Sequence, residues 1–152
     1  MDVGCYLVNY CRALYGSAPH SIAARVYVPS KGEVERAVNA ILDYGEGAFA
    51  QLDTNFELPL RQKAEIIGEI GVITLPLPFP PKNVETIAAL ELNGQTIHER
   101  FPAVDHYRLE VEHFASCLRF GEQPALSLEE TLENLTTMEA IYQAAGYSWP
   151  II

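Results

Sequence analysis

The chain has 152 residues, enough for one domain, and a chain of this size buries about 68–70% of its unfolded surface. It is 49% hydrophobic and 20% charged, an ordinary composition for a soluble globular protein. Ten Lys and Arg stand against twenty Asp and Glu, a formal net charge of -10; the scattered cations argue against nucleic acid, which needs clustered Lys and Arg, and no apolar run approaches the roughly 18 residues of a membrane span.

Residues 2–15 read as a helix, with Leu7, Tyr10, Cys11 and Leu14 at the spacing of a buried stripe and Gly16 and Pro19 as the stop. From residue 21 the period changes to two. In "SIAARVYVP", Ile22, Ala24, Val26 and Val28 alternate with Ala23, Arg25 and Tyr27, the pattern of a strand. "EVERAVNAILDYGEG" also fits a helix through Val34, Val38 and Ile41. We read it as a strand, because "YGEG" followed by "AFAQLDTNFEL" has the form of a turn between paired strands. "AEIIGEIGVITLPLPF" predicts two short strands around Gly68 and Gly71, and the proline-rich "LPLPFPPKN" predicts irregular or edge structure. Strands near 84–92 and 95–101 follow, joined by the hairpin signal Asn93-Gly94.

The helical period then returns. Tyr107, Val111, Phe114, Ala115 and Leu118 form one stripe, ended by Gly121 and Pro124. Ser127 and Glu130 form a capping box for the last helix, whose buried side is predicted to hold Leu128, Leu132, Leu135 and Tyr142, and Gly146 closes it. One helix, about six strands and two helices predict an α+β domain, a mainly antiparallel open sheet with helices packed on one face. The other face, half apolar in "AFAQLDTNF", is either an association surface or covered by loops.

Asp2, Tyr6 and Asn9 share a side of the first helix away from the Leu7–Leu14 stripe. A tyrosine with a carboxylate one turn away suits proton transfer at a hydroxyl or carbonyl. The plainer alternative makes Tyr6 core, Asp2 an N-cap and Asn9 a solvated residue. Glu110 and His113 give a single E-x-x-H, with His106 one turn earlier; metal bundles need more than one copy, so we expect no metal and place His113 in a hydrogen bond at the sheet edge. His20 and His98 have no partners in the pattern. Gly68-Glu69-Ile70-Gly71 is not a phosphate loop, no dinucleotide fingerprint occurs, and Lys31, Lys63 and Lys82 sit in no catalytic pattern. Cys5, Cys11 and Cys117 fall on predicted helices as small buried groups, and their odd number without C-x-x-C spacing fits a reducing cytoplasm.

"DVGCYLVNYCRALYG" resembles the catalytic helix of the Gfo/Idh/MocA oxidoreductases, written as Asp, then Gly, then His or Tyr four residues after the Asp. "ILDYGEGAFAQLDTNFE", "AEIIGEIGVITL" and the closing pair of helices resemble later elements of the same family, in the same order, from Asp2 to about Gly146. The resemblance implies a dihydrodipicolinate-reductase-like C-terminal domain over 1–152, used for substrate binding and oligomerisation. The Rossmann half, with its E-K-P lysine, would be absent. Asp2 and Tyr6 fall on the family's catalytic positions, Asn9 on a substrate-facing one, and Tyr at 6 resembles the aldose-type branch that includes glucose–fructose oxidoreductase, xylose dehydrogenase and dihydrodiol dehydrogenase. The implied parent activity is oxidation of a sugar or cyclic-diol hydroxyl with NAD or NADP. This chain alone would hold no cofactor and be inactive, and it would form a homodimer or higher homo-oligomer through the open sheet face. The alternative is a non-catalytic oligomerisation or substrate-binding module. The resemblance further implies that Met1 is an internal codon read as a start, as in a split gene, a misassigned reading frame or an isolated domain, or else a vector's methionine.

Overall fold

A computed structural model describes residues 1–31, 33–79 and 83–148. These fall into two compact units. The first comprises residues 1–59 together with those from 125 onward, and the second residues 60–124.

The first unit holds helix α1 (Gly4–Tyr15), strands β1 (Ser21–Tyr27), β2 (Ala37–Asp43) and β3 (Phe49–Asn55), and helix α3 (Leu128–Ala144), numbered in chain order. The three strands pair antiparallel in sequence order. Alternation sorts every row onto one face or the other. Ile22, Leu42 and Ala50 face the helices as one row, Ala24, Ala40 and Leu52 as the next, and Val26, Val38 and Thr54 as the third. α1 packs on β3 and α3, and α3 on β1. Val8, Cys11, Ala40, Leu42, Met138, Ile141 and Tyr142 make the core between them. Leu42 and Ile141 are fully buried. Leu42→Ala should therefore destabilise this unit by about 2–5 kcal/mol in urea titration, whereas Leu128→Ala, at a position 79% exposed, should cost well under 1 kcal/mol. Equal losses would refute this core.

The "YGEG" turn forms as expected. Gly45, Glu46 and Gly47 all take positive φ, and the Tyr44 amide donates to the Ala48 carbonyl at 2.9 Å. Tyr15 stacks on Tyr44 with ring centroids 3.8 Å apart. Burial and the neighbouring Cys11 and Tyr15 push the Tyr44 hydroxyl up to about 12, with Arg12 opposing. Cys11 is buried, and burial pushes its thiol up to about 11, which keeps it protonated as a small apolar group; Cys5 and Cys117 are only half-buried.

The second unit is a four-stranded antiparallel meander, β4 (Ala64–Ile67), β5 (Gly71–Leu75), β6 (Thr86–Leu92) and β7 (Gln95–Phe101), followed by α2 (His106–Phe120). Asn93 and Gly94 both take positive φ, as their hairpin requires. A Cβ on Gly71 would sit 2.4 Å from the Glu91 carbonyl oxygen, so only glycine lets β5 approach β6 there. The proline-rich stretch falls partly on residues 80–82, including Lys82, which lie outside the described residues.

The α+β class holds, with seven strands in two antiparallel sheets among the described residues, where about six in one sheet were expected. The helix faces need correction. On α1 the buried residues are Gly4, Val8 and Cys11, and Leu14 is exposed. On α3 the capping box forms, but Leu128, Leu132 and Leu135 are exposed while Thr137, Met138, Ile141 and Tyr142 are buried. The helix carries two apolar faces, and only the second meets the sheet. On α2 the predicted stripe exists, yet Tyr107, Val111, Phe114, Ala115 and Leu118 are all exposed, and the helix buries no residue.

Candidate functional site

The start of the chain is built around a close approach. α1 begins at Gly4, and a Cβ there would lie 2.2 Å from the Met1 side chain. Asp2 thus precedes the helix, and the N-cap position belongs to Val3, which makes no side-chain cap. Asp2 nevertheless stays on a helical turn. Val3 is already in the right-handed helical region, the Cys5 amide donates to the Met1 carbonyl at 3.3 Å, and the Cys5 thiol donates to the Asp2 carbonyl at 2.8 Å.

At about 100° per residue, the side carrying Asp2, Tyr6 and Asn9 lies roughly opposite the buried Gly4, Val8 and Cys11. All three are exposed, Tyr6 at 59%. The plainer alternative therefore fails for two of them: Tyr6 is not core, and Asp2 is not the cap. Asp2 borders a cavity of about 290 Å³ lined also by Met1, Val34, Glu35, Arg36 and Phe56; Tyr6 and Asn9 do not line it.

Behind that cavity lies a polar cluster that spacing could not reveal. Glu35 is 5% exposed. Its carboxylate pairs with the Met1 ammonium and accepts a hydrogen bond from the Tyr142 hydroxyl at 2.7 Å, while the ammonium donates to the Tyr142 oxygen at 2.5 Å. Burial pushes the Glu35 carboxyl up, but hydrogen bonds from the ammonium and Tyr142, with the ammonium's charge, outweigh it and hold the group below the usual carboxylate range. Burial and Glu35 push the Tyr142 hydroxyl far above its ordinary value, so it remains a donor. Glu35 and Tyr142 are 107 residues apart, and no local pattern links them.

His113 sits exposed on α2 with Nε2 3.6 Å from the Cys117 sulfur. Among the described residues, no three metal-ligating side chains stand together, and no helix is long and apolar enough to cross a membrane. Every described strand pairing is antiparallel, and β7 leads into α2 through "PAVD", without the glycine loop that seats a pyrophosphate at a helix N-terminus.

Residues 1–74, which span α1, the first four strands and all but the last residue of β5, match the family model of the GFO/IDH/MocA C-terminal domain. That match places the first 74 residues in the GFO/IDH/MocA C-terminal domain family. It is 33% identical over 149 residues to D-xylose 1-dehydrogenase (NADP(+)) 2 of Haloferax volcanii, covering 95% of this chain and 45% of that protein. It is 23% identical over 146 residues to dTDP-3,4-didehydro-2,6-dideoxy-alpha-D-glucose 3-reductase of Actinomadura kijaniata, covering 44% of it. The chain thus spans about half the length of the curated relatives it matches. A solved structure of a mutant of KijD10, a 3-ketoreductase from Actinomadura kijaniata in complex with TDP-benzene and NADP, superposes with a TM-score of 0.83 at 22% identity, over 97% of this chain and 48% of that one. At that identity the likeness shows the fold. These relatives therefore align along both units of this chain, not along the first alone.

Proposed function

We propose that this chain is the substrate-facing and oligomerising part of an NAD(P)-dependent oxidoreductase that acts on a hydroxyl of a sugar or cyclic diol. The observation that carries the reading is the exposed side of α1 with Asp2, Tyr6 and Asn9 along it. The 33% identity to an NADP-linked D-xylose dehydrogenase supports it. Tyr6 gives its proton to the carbonyl oxygen in the reducing direction and takes it back in the oxidising one. Asp2 orients Tyr6 or the substrate, and Asn9 binds a neighbouring hydroxyl. The two units act together as one C-terminal domain. The nicotinamide is held by a nucleotide-binding part of the longer enzyme, and this chain contributes the proton-handling side of the reaction. The open face of the first sheet pairs with a second copy.

The chain by itself should show no dehydrogenase turnover. Titration calorimetry with NAD or NADP should find no binding tighter than the millimolar range, about -4 kcal/mol. Micromolar binding would overturn the assignment of roles. The function is tested by joining this chain to the nucleotide-binding part of the Haloferax D-xylose dehydrogenase, in place of that enzyme's matching half. The expected result is NADP-dependent oxidation of an aldose or cyclic diol. A fusion that folds and binds NADP yet oxidises none of a panel of these would refute the reading.

A further inference from the structure

The cavity beside Asp2 has a wall that neither the core nor the proposed proton transfer uses. Beyond Met1 and Asp2 it is lined by Val34, Glu35, Arg36 and Phe56. Val34, Glu35 and Arg36 lead into β2, and Phe56 follows β3. The Arg36 amide donates to the Tyr27 carbonyl at 2.8 Å, and the Arg36 carbonyl accepts from the Phe56 amide at 2.9 Å, so the backbone here is fixed from both sides. Phe56 is nevertheless 50% exposed, and Val34 and Arg36 are exposed with it. A wall whose backbone is already held loses little freedom when a ligand settles on it. At about 290 Å³ the cavity lies at the small end of ligand sites, which run from roughly 300 to 1,000 Å³. It has room for one small ring and none for a ring carrying a nucleotide.

We infer that this cavity seats the ring of an uncharged monosaccharide, its C–H face on Phe56 and Val34 and its hydroxyls between the Arg36 guanidinium and the Asp2 carboxylate. This rests on the proposed oxidoreductase reading, in which Asp2 stands at the reacting end of the substrate. A sugar ring has two kinds of surface. Its C–H bonds suit the negative face of an aromatic ring, and its hydroxyls both donate and accept. Arg36 offers donors only and an ionised Asp2 acceptors only, so together they meet both halves of a hydroxyl's hydrogen bonding. Charge decides against a phosphorylated or nucleotide-linked sugar. The Arg36 guanidinium already has a Glu33 carboxylate oxygen 3.9 Å away, Asp2 and Glu35 border the same cavity, and the Met1 ammonium is taken by Glu35. A phosphate would face these carboxylates with a single, shared guanidinium to hold it, a like-charge juxtaposition that costs several kcal/mol. A neutral polyol meets the same groups as donors and acceptors alone.

Steady-state kinetics on the fused enzyme tests this. kcat/KM for D-xylose or D-glucose should exceed that for D-glucose 6-phosphate by at least roughly a hundredfold, given the cost of like charges. Phe56→Ala should raise KM for the neutral sugar roughly tenfold with kcat much less changed, and Phe56→Tyr, which keeps the ring, should restore it. Arg36→Ala should raise KM by roughly tenfold as well. Glu33→Gln, which takes one carboxylate from beside Arg36, should narrow the discrimination against the phosphate. If Phe56→Ala does not fold, Arg36→Ala and the phosphate discrimination decide. If the fusion oxidises neutral sugars while Phe56→Ala and Arg36→Ala leave KM unaltered, the ring sits elsewhere and the oxidoreductase reading stands. If the fusion prefers D-glucose 6-phosphate, the uncharged substrate is wrong and that reading again stands. A fusion that folds and binds NADP but oxidises neither kind of sugar fails the reading, and this inference with it.

Discussion

Replacing Tyr6 by Phe in the fused enzyme is expected to lower kcat by about 10²–10⁴, with KM little changed and the fold intact. Tyr6 lies on the exposed side of α1, away from Val8 and Cys11, and exchanging an exposed residue outside the core costs within about 0.5 kcal/mol of stability. The larger effect should therefore fall on proton transfer. Asn9→Ala should act differently, raising KM with a smaller change in kcat, because a group that binds a hydroxyl equally in ground and transition states contributes uniform binding. Steady-state kinetics on the three fusions separates these outcomes. A Tyr6→Phe enzyme with unaltered kcat would remove Tyr6 from the chemistry and leave the helix as a scaffold.

Glu35→Gln should be the most damaging single polar change in the first unit, at about 3–5 kcal/mol near neutral pH. It breaks a buried pair and leaves the Met1 ammonium facing an amide. The pH dependence has a definite sign. The carboxyl titrates lower in the folded chain than in the unfolded one, so its contribution is complete above the unfolded value of about 4.3 and is lost as pH falls through the folded value. Urea titrations of the chain and the variant should differ most near neutral pH and converge only as pH falls through the lowered folded value. A constant difference across that range would mean that Glu35 acts through packing and not through its charge.

Legibility from sequence follows the range of the interactions. The switch from period 3.6 to 2 and back located the helices and strands, because periodicity is set within a few residues. Asn93-Gly94 and Ser127/Glu130 did the same for a hairpin and a cap. Which face a helix buries depends on partners far away in the chain. Leu128, Leu132 and Leu135 read as well as Met138 and Ile141 do, and only packing against β1 and α1 chose the latter. α2 makes the point more strongly: its stripe is amphipathic by every local measure, and no residue of it is buried. In the candidate site, Asp2, Tyr6 and Asn9 were visible as a spacing, and their exposure is consistent with an outward-facing role. Glu35 and Tyr142 were invisible, since an acid on a loop and a tyrosine on a helical stripe give no local sign that they will meet.

The chain order of the two units bears on how the molecule is made. The first unit is discontinuous: its sheet is complete by residue 55, but Ile141 and Tyr142, which close its core, are synthesised last. The second unit is a continuous segment inserted between them, a meander whose strands pair with their sequence neighbours. Local pairing closes short loops and assembles quickly, whereas closing a loop of over 100 residues is slow. On the ribosome the meander can therefore form while β1–β3 still wait, with Leu42 and Val38 uncovered, for the final helix to emerge. In that interval the nascent chain exposes the apolar face of a half-built sheet, and a premature stop before residue 138 would release a product that lacks the Met138, Ile141 and Tyr142 cover.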